Sequence, residues 1–322
     1  MRALVTGATG FVGSHLAEAL RRRGDTVTVL ARSARKAEAL APLGVRIIAG
    51  DLADTAAVRK AVEGQDIVYH VAGVIAALSE EAFMAANREG TRSVAAAAQA
   101  AGGPRFVLVS SMAAGGPSPR GKPLQGDEPP RPVTAYGRSK LAAEAVVKAG
   151  TLPWTIVRPP MVYGPRDLEV LKVFRIARFG IAPVFGDGSQ ELSAIHAADL
   201  ADALIAAGLS PATLRRTYYG SHPDVFTSMR LVRSVAKAMG RPVLVIKVPP
   251  GVGRGILAVT ETVARLARHP TILTTDKANE FFQPAWTGDP APLTRDTGWS
   301  AQRDLAAGLT DTWHWYRSAG WV

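Results

Sequence analysis

The sequence predicts an α/β protein with a doubly wound parallel sheet in its first part and a smaller mixed α/β domain in its second. A glycine-rich turn joins the first strand to the first helix within the opening 13 residues. Strands and helices then alternate up to about residue 165, which is typical of a parallel sheet covered on both faces. We therefore expect a sheet domain over residues 1–165, to which 197–222 return, and a smaller substrate domain over 166–322.

The sheet domain is predicted from short apolar runs separated by segments with helical periodicity. The glycine turn lies at the carboxyl end of strand 1, where doubly wound sheets bind ligands, so a barrel is disfavoured. Predicted strands cover residues 2–5, 26–31, 45–49, 66–70, 105–110 and 154–158. Predicted helices cover residues 11–20 and 34–43, an alanine-rich stretch that ends near 101, and 135–149.

The second part mixes short helices with short strands. Helices are predicted over residues 168–179, 199–207, 229–239 and 251–268, and strands over 216–219 and 243–247. The segment 251–268 is amphipathic and basic; a packing or dimer helix is favoured, and peripheral membrane contact stays open.

A long loop is predicted over residues 115–133, which are rich in proline and glycine. Loops of this length are uncommon unless they are functional or disordered. Because the loop follows the fifth strand, we expect it to form the rim or lid of an active site.

Composition narrows the possible functions. The 322 residues carry a net charge of +11 and contain no cysteine, which excludes disulfides, thiolate zinc sites and cysteine nucleophiles. The charges are scattered without an aromatic-interleaved basic stripe, which disfavours nucleic-acid binding. No apolar run approaches the roughly 18 residues of a membrane span, and the first strand leaves no room for a signal peptide. We expect a cytoplasmic protein with no nucleic-acid partner, no integral membrane segment and no metal site.

The first strand-to-helix turn predicts a dinucleotide site of the Rossmann type. Gly7 permits the tight turn, Gly10 lets a pyrophosphate approach the backbone, and Gly13 lets the helix lie close to the strand. The helix N-terminus adds free N–H groups and the positive end of its dipole. The expected cofactor contacts are Gly7, Thr9, Gly10, Phe11 and Val12.

The end of the second strand indicates which dinucleotide binds. A carboxylate at this place binds the ribose 2′-hydroxyl of NAD, whereas an arginine accommodates the 2′-phosphate of NADP. Arg32 ends the strand and Lys36 follows, with no acidic residue in reach. We expect NADP(H) to be preferred, with both residues as contacts. NAD(H) stays the alternative if Arg32 only stacks on the adenine.

Three side chains after the fifth strand predict proton and hydride chemistry. Tyr136 and Lys140 lie four residues apart and so share one helix face. The ammonium is expected to lower the pKa of the tyrosine, which could then exchange a proton with a substrate oxygen while hydride moves at the same carbon. Ser111 follows Ser110 at the end of the strand and is expected to polarise that oxygen.

Together these motifs resemble the extended short-chain dehydrogenases/reductases, in the NAD(P)-dependent epimerase/dehydratase branch. The resemblance covers nearly the full length. It rests on the glycine turn, Gly50-Asp51-Leu52, His70-Val71-Ala72-Gly73, Asn87-x-x-Gly90-Thr91, Ser110-Ser111, Tyr136-x-x-x-Lys140 and Arg158-Pro159-x-x-Val162-Tyr163-Gly164-Pro165. It implies an NAD(P)-dependent enzyme acting on CH–OH groups, with catalytic roles for Ser111, Tyr136 and Lys140, and a homodimer.

The resemblance also implies where the cofactor lies. Asp51 and Leu52 would flank the adenine, and Lys140 would hold the nicotinamide ribose. Asn87 lies near the cofactor in such proteins, with a purely structural hydrogen bond as the alternative. The other expected contacts along the cleft and at the nicotinamide end are Val71, Ala72, Gly73, Ser110, Tyr136, Pro159, Met161 and Val162.

Two departures from the nucleotide-sugar members indicate the substrate class. Met161 stands where those proteins usually have asparagine, and Leu192 stands in place of an arginine that binds the substrate diphosphate. The chain is more similar to the 3β-hydroxysteroid dehydrogenase and dihydroflavonol reductase side, which implies a hydrophobic steroid- or flavonoid-like alcohol or ketone. The expected substrate contacts are Val74, Ile75, Ser111, Met112, Tyr136, Met161 and Tyr163.

Two other functions stay open. One is a sugar or nucleotide-sugar epimerase or dehydratase that recycles bound NAD. The other is a non-catalytic NADP(H)-sensing protein, which the intact serine, tyrosine and lysine set disfavours. Structural roles are expected for three further residues: His70 in the cleft wall, His196 under the sheet edge and Asp199 as a helix cap.

Overall fold

The first half of the chain alternates strands with helices in the computed structural model, which describes residues 1–322 apart from the side chain of Ala34. A 3-10 turn, Ala41–Leu43, follows the second helix, and a π-helical turn, Met84–Glu89, precedes the fifth. The elements are β1 (Arg2–Thr6), α1 (Phe11–Arg22), β2 (Thr26–Ala31), α2 (Ala34–Glu38), β3 (Arg46–Ala49), α3 (Thr55–Val62), β4 (Ile67–His70), α4 (Glu80–Phe83), α5 (Gly90–Ala100), β5 (Arg105–Val109), α6 (Met112–Gly115), α7 (Ala135–Ala149) and β6 (Trp154–Arg158).

The second half contains shorter strands and several longer helices. Its elements are β7 (Met161–Tyr163), α8 (Glu169–Ala177), β8 (Ile181–Phe185), β9 (Glu191–Leu192), β10 (Ala194–His196), α9 (Ala197–Leu209), β11 (Arg216–Tyr219), β12 (Phe226–Thr227), α10 (Ser228–Met239), β13 (Leu244–Val248), α11 (Pro250–Leu266), α12 (Ala278–Phe281), β14 (Ala285–Trp286), α13 (Ala291–Thr297) and α14 (Leu305–Ser318). A further 3-10 turn, Pro211–Thr213, follows α9.

Seven parallel strands form the central sheet in the order β11-β6-β5-β4-β1-β2-β3. The doubly wound Rossmann fold predicted from the sequence is thereby confirmed. The strand order reverses between β1 and β4, which pair in register with Thr6 opposite His70. In an open α/β sheet the ligand crevice lies at the carboxyl ends of the strands flanking such a reversal.

The strand residues are buried on both faces of the sheet. Because successive side chains point to opposite faces, Val5 joins a core built with α1 and α9, whereas Leu4 joins a core built with α3, α5 and α7. The segment after β10 reaches the main sheet, since α9 contributes Leu200 and Leu204 to the first core and β11 pairs with β6.

The remaining elements form a second, smaller unit with three short sheets. β10 pairs with β7, β9 lies between β12 and β14, and β13 pairs with β8. Helices α8, α10 and α14 enclose their own core around Phe174, Leu309 and Tyr316. Within the described residues, no helix is both long and apolar enough to span a membrane.

The loop predicted over residues 115–133 is tied to the C-terminal part of the chain. The Leu124 backbone N–H donates to the Thr287 carbonyl oxygen at 3.1 Å, and the Leu124 carbonyl accepts from Asp289 at 2.8 Å. Ser118 also bonds the Thr287 hydroxyl at 2.8 Å. The loop is therefore held by hydrogen bonds against the segment that follows β14.

Candidate dinucleotide and catalytic site

The turn between β1 and α1 has no room for side chains. Gly7 has a positive φ of 74°, and a Cβ there would lie 2.7 Å from the Ala72 nitrogen. A Cβ at Gly13 would overlap the Gly7 carbonyl. Gly10 occupies the N-cap of α1, and no described side chain caps that helix. The turn therefore fits a pyrophosphate at the helix N-terminus, with the half-buried Thr9, Phe11 and Val12 around it.

His70 forms a neutral, buried wall beside this turn. Its Nδ1 bonds the Thr6 hydroxyl at 2.7 Å, and its Nε2 bonds the Thr91 hydroxyl at 3.0 Å. Thr6 in turn accepts a hydrogen bond from the Ala72 N–H at 3.2 Å. Burial, with help from the Lys140 charge, lowers the pKa of His70 to about 3. The expectation that His70 is a wall residue agrees with this geometry.

Acid should destabilise the fold partly through His70. Its pKa in the folded chain lies below the ordinary value, so between about pH 6.5 and pH 3 the unfolded chain binds one more proton. Stability should therefore fall with falling pH, by up to about 1.4 kcal/mol per pH unit from this group. In His70→Gln that part of the slope should vanish in urea unfolding curves measured across this range. An unchanged slope would contradict the assignment. The comparison is His15→Gln: burial lowers the pKa of His15 to about 4, so this substitution should also remove part of the slope.

Ser111 and Tyr136 meet at the carboxyl edge of the sheet, although they lie on different elements. Ser111 caps α6 by accepting from the Ala113 N–H at 3.2 Å, and its hydroxyl lies beside the Tyr136 side chain on α7. Burial raises the pKa of Tyr136 to about 12; the nearby Ser111 hydroxyl opposes this rise, and the Glu280 charge adds to it. Tyr136 is thus a protonated phenol at neutral pH, suited to donating a proton.

Lys140 lies on the catalytic helix α7, and its ammonium reaches the dinucleotide crevice at Gly73. Its buried ammonium donates to the Val109 carbonyl at 2.8 Å, and a Cβ on Gly73 would lie 3.6 Å from Nζ. Burial lowers the pKa of Lys140 to about 8, opposed by the Glu144 charge. Burial of the phenol raises the pKa of Tyr136 in the chain by itself. The lowering expected from Lys140 together with an oxidised nicotinamide stays a prediction.

Asn87 joins the crevice to the catalytic helix. Its Oδ1 accepts from the Val74 N–H at 2.8 Å, and its Nδ2 donates to the Val74 carbonyl at 3.1 Å and the Ser139 hydroxyl at 2.9 Å. These bonds agree with the structural alternative for Asn87. The residue sits in the π-helical turn, which the sequence did not predict; such turns are frequent at functional sites.

The Ser110 side chain belongs to a buried ionic cluster. Its hydroxyl donates to Glu144 at 2.6 Å, and Glu144 forms a bidentate pair with Arg158 at 2.7 and 2.8 Å. All three side chains are buried. Because this hydroxyl is bound to Glu144, the predicted cofactor contact of Ser110 is left to its backbone and stays a prediction.

The remaining predicted cofactor residues lie along the carboxyl edge. Arg32 and Lys36 are exposed beyond β2, where Ser33 caps α2 by accepting from the Lys36 N–H. Asp51 is exposed, and Leu52 packs so closely on Gly90 that a Cβ there would lie 2.8 Å from its methyl group. At the other end of the crevice the Pro159 carbonyl accepts from the Met112 N–H at 2.9 Å. Val71, Ala72, Met161 and Val162 are half-buried, and Gly73 is exposed.

The predicted substrate residues differ in accessibility. Val74 is half-buried, Ile75 is 55% exposed, and Met112 is buried. Tyr163 was wrongly predicted to touch substrate: it is buried, its hydroxyl donates to the Asp304 carbonyl at 3.2 Å, and its ring packs against His196. Its position on β7 makes it part of the core of the smaller unit.

The helix-cap role expected for Asp199 needs correcting, because His196, which is buried, caps α9 instead. His196 caps α9, accepting from the Ala198 N–H at 3.3 Å through Nδ1. Asp199 instead accepts from the backbone of Gln302 at 3.1 Å and of Arg303 at 2.8 Å, and pairs with the Arg303 side chain. In the described part of the chain, no three His, Asp or Glu side chains are grouped to hold a metal ion.

A charged cluster from the C-terminal part contacts the catalytic helix, which sequence reasoning missed. Asp276 accepts from the Ala135 N–H at 2.8 Å, and Glu280 accepts from the Thr134 hydroxyl at 2.8 Å. The Lys277 ammonium lies 5.9 Å from the centroid of the Tyr136 ring. The cluster caps the N-terminus of α7 and closes one side of the tyrosine. The sequence alone does not identify this cluster, because two acidic residues four positions apart, Asp276 and Glu280, are a common pattern.

Comparisons with known proteins identify the family of the chain. The model of the NAD dependent epimerase/dehydratase family matches residues 3–218. The chain is 35% identical to ceramide reductase of Caulobacter vibrioides, over 99% of this chain and 95% of that protein. It is 32% identical to 2-alkyl-3-oxoalkanoate reductase of Stenotrophomonas maltophilia, over 96% and 97%. The crystal structure of Thermus thermophilus UDP-glucose 4-epimerase complexed with NAD has a TM-score of 0.79 and 25% identity, over 99% of this chain and 100% of that one.

Proposed function

The chain belongs to the NAD-dependent epimerase/dehydratase family, and from that premise we propose that it is an NADP(H)-dependent ketoreductase for a hydrophobic lipid-like ketone. The observation that carries the proposal is the placement of the Ser111 hydroxyl beside the Tyr136 phenol, with the buried Lys140 ammonium on the same helix as the tyrosine. Tyr136 suits reduction because its phenol is protonated at neutral pH and can give its proton to the oxygen of a ketone as an alcohol forms.

The chain's own residues have distinct tasks in this proposal. When bound, the reduced nicotinamide supplies a hydride to the carbonyl carbon. Tyr136 donates its proton to the carbonyl oxygen, and Ser111 holds that oxygen by a hydrogen bond. The Lys140 ammonium lies beside Gly73 of the crevice, and Lys140 is on the same helix as Tyr136. It is therefore placed to bind the cofactor near the proton donor. Solvent then returns a proton to Tyr136.

The proposed substrate class has support from the chain and from its relatives. Met161 and Leu192 offer no charge to a diphosphate, whereas Ile75 and Leu78 give the segment after β4 an exposed apolar character. Two relatives of nearly full length are named as reductases of a ceramide and of 2-alkyl-3-oxoalkanoates. We therefore favour a ketone flanked by long alkyl chains over the steroid- and flavonoid-like ketones.

The test is a substrate panel with the purified full-length chain. It would contain long-chain 3-oxo lipids, steroid and flavonoid ketones, and UDP-glucose, with NADPH consumption and product mass as readouts. We expect turnover of the long-chain ketones. Epimerisation of UDP-glucose without added cofactor, and no ketone turnover, would overturn the proposal in favour of an epimerase.

Cofactor preference should depend on Arg32. We expect Arg32→Asp to lower the ratio of kcat/KM for NADPH to that for NADH by about 10- to 100-fold, since a lost charged hydrogen bond is worth about 1.5–3 kcal/mol. Arg59→Asp is the matched control, because it makes the same charge change on the exposed side of α3. Equal use of NADH and NADPH by the unaltered enzyme, with no effect of Arg32→Asp, would refute the NADP(H) preference.

A homodimer and a cytoplasmic location complete the proposal. The family resemblance supports the dimer, through helices of the sheet domain. Light scattering of the purified chain and fractionation of cells that express it test these two points separately.

A further inference from the structure

Helix α11 carries an apolar stripe on its outer side. Its members recur at the spacing of one helix face and are between 49% and 82% exposed: Val252, Ile256, Val259, Val263 and Leu266. The stripe extends about 21 Å along the helix, at 1.5 Å per residue. The opposite side of the helix packs on the protein through Gly253, which lies against Phe185 and Phe282, and through Leu257.

The sheet that leads into α11 is apolar on its exposed face as well. Leu244 pairs with Ile181 across the two strands, and Ile246 pairs with Pro183. All four side chains are exposed, and Phe179, just before β8, is 83% exposed. Exposed apolar stripes of this kind mark sites of contact with a protein or a membrane, so we expect the α11 stripe to have a partner.

The charge around this surface indicates which partner. The segment that forms β13 and α11, residues 244–268, contains four basic residues, Lys247, Arg254, Arg265 and Arg268, and one acidic residue, Glu261. The charge of Glu261 is already paired: its carboxylate forms an ion pair with Arg265 and accepts hydrogen bonds from Thr275. Two copies of so cationic a face would repel each other, whereas an anionic lipid surface would attract it.

The surface is linked to the catalytic tyrosine through a short series of contacts. The Glu261 carboxylate on α11 accepts from the Thr275 N–H at 2.8 Å and from its hydroxyl at 2.6 Å. The next residue, Asp276, accepts from the Ala135 N–H at 2.8 Å, and Ala135 precedes Tyr136. A molecule held at α11 is thus held close to the side of the site that the charged cluster closes.

We propose that α11 docks on an anionic lipid bilayer, with the stripe Val252, Ile256, Val259, Val263 and Leu266 inserted at the boundary between headgroups and acyl chains. Docking lets the site take a lipid ketone directly from the membrane, a step that rests on the proposed function. An interfacial helix of this kind lies in the plane of the surface and is held by apolar burial together with attraction to anionic lipid. It anchors the protein without spanning the bilayer.

The experiment measures binding of the full-length chain to vesicles. Unaltered protein should co-sediment with vesicles of phosphatidylcholine and phosphatidylglycerol, less with phosphatidylcholine alone, and less as salt is raised. The double variant Val259→Glu/Val263→Glu should weaken binding by about tenfold or more, since it places two charges in the stripe. The control Ala258→Glu/Thr262→Glu adds the same charge at exposed positions outside the stripe and should bind more tightly than the stripe variant.

Activity separates this inference from the proposed function. The stripe variant should reduce a water-soluble short-chain ketone normally and a vesicle-embedded long-chain ketone more slowly. Ketone reduction without vesicle binding would overturn the docking alone, and vesicle binding without ketone reduction would overturn the proposed function alone. A change of oligomeric state in the stripe variant, with no vesicle binding by the unaltered chain, would identify the surface as an interface between copies.

Discussion

Replacing Tyr136 by phenylalanine is expected to lower kcat by about 10²- to 10⁴-fold, the range that general acid catalysis contributes. The substitution removes the phenolic oxygen and keeps the ring, which packs against Phe83 at 5.9 Å between centroids. Dinucleotide binding should persist, because the glycine turn lies on β1 and α1. The measurement is the single-turnover rate with NADPH and the ketone found in the panel, alongside a titration of NADPH binding.

A tyrosine remote from the crevice provides the matched control. Tyr218 lies on β11 and donates to Asp296 at 2.6 Å, so Tyr218→Phe removes an equivalent oxygen without touching the site. Its rate should stay within about twofold of the unaltered enzyme, because Tyr218 is a buried residue of the sheet domain whose lost hydrogen bond affects stability and not the proton donor. A normal rate in Tyr136→Phe would remove the proton donor from the mechanism and favour a cofactor-sensing role.

Breaking the buried pair of Glu144 and Arg158 should produce the largest loss of stability. Glu144→Gln leaves the Arg158 charge buried without its carboxylate, which costs about 3–5 kcal/mol when the partner has no access to water. The free energy of unfolding from urea denaturation is the measurement. The double variant Glu144→Leu/Arg158→Met should recover most of the loss, because an apolar pair of similar volume leaves neither charge of this pair buried without its partner.

An exposed ion pair offers the comparison for this prediction. Glu80 binds Arg138 bidentately at 2.7 and 2.8 Å, and both side chains are about two-fifths exposed. Glu80→Gln should therefore cost at most about 1 kcal/mol. Equal losses in Glu80→Gln and Glu144→Gln would show that burial does not decide the strength of the pair.

The sheet could be predicted from the sequence because its strands are buried on both faces. Strand β5, Arg-Phe-Val-Leu-Val, is a continuous apolar run of the kind that parallel strands require. The smaller unit lacks such runs. Its strands β9, β12 and β14 have two residues each, too few for any periodicity. Helix α14 was not predicted because Gly308 and Thr312 occupy two of its buried positions and interrupt the apolar stripe.

The candidate site, too, was predicted from the sequence only where local spacing determines it. The glycines and the Tyr136–Lys140 pair follow from local spacing, so the sequence identified them. The environment of Ser110 could not be predicted: it lies between the end of β5 and the N-cap Ser111 of α6, and its hydroxyl is placed by a tertiary contact with Glu144 on α7. Lys277 lies 141 positions from Tyr136, and the burial that governs the tyrosine pKa depends on that tertiary contact as well as on the helix itself.

Because residues of the C-terminal part cap α7, the two parts of the site are completed at different times during synthesis of the chain. A nascent chain emerges from its N-terminus, so Gly7 and the Ala72 backbone on which it packs are both made early. The N–H of Ala135 and the hydroxyl of Thr134 receive their acceptors only once Asp276 and Glu280 have been synthesised. The binding turn is thus present for most of translation before the proton donor is fixed in place.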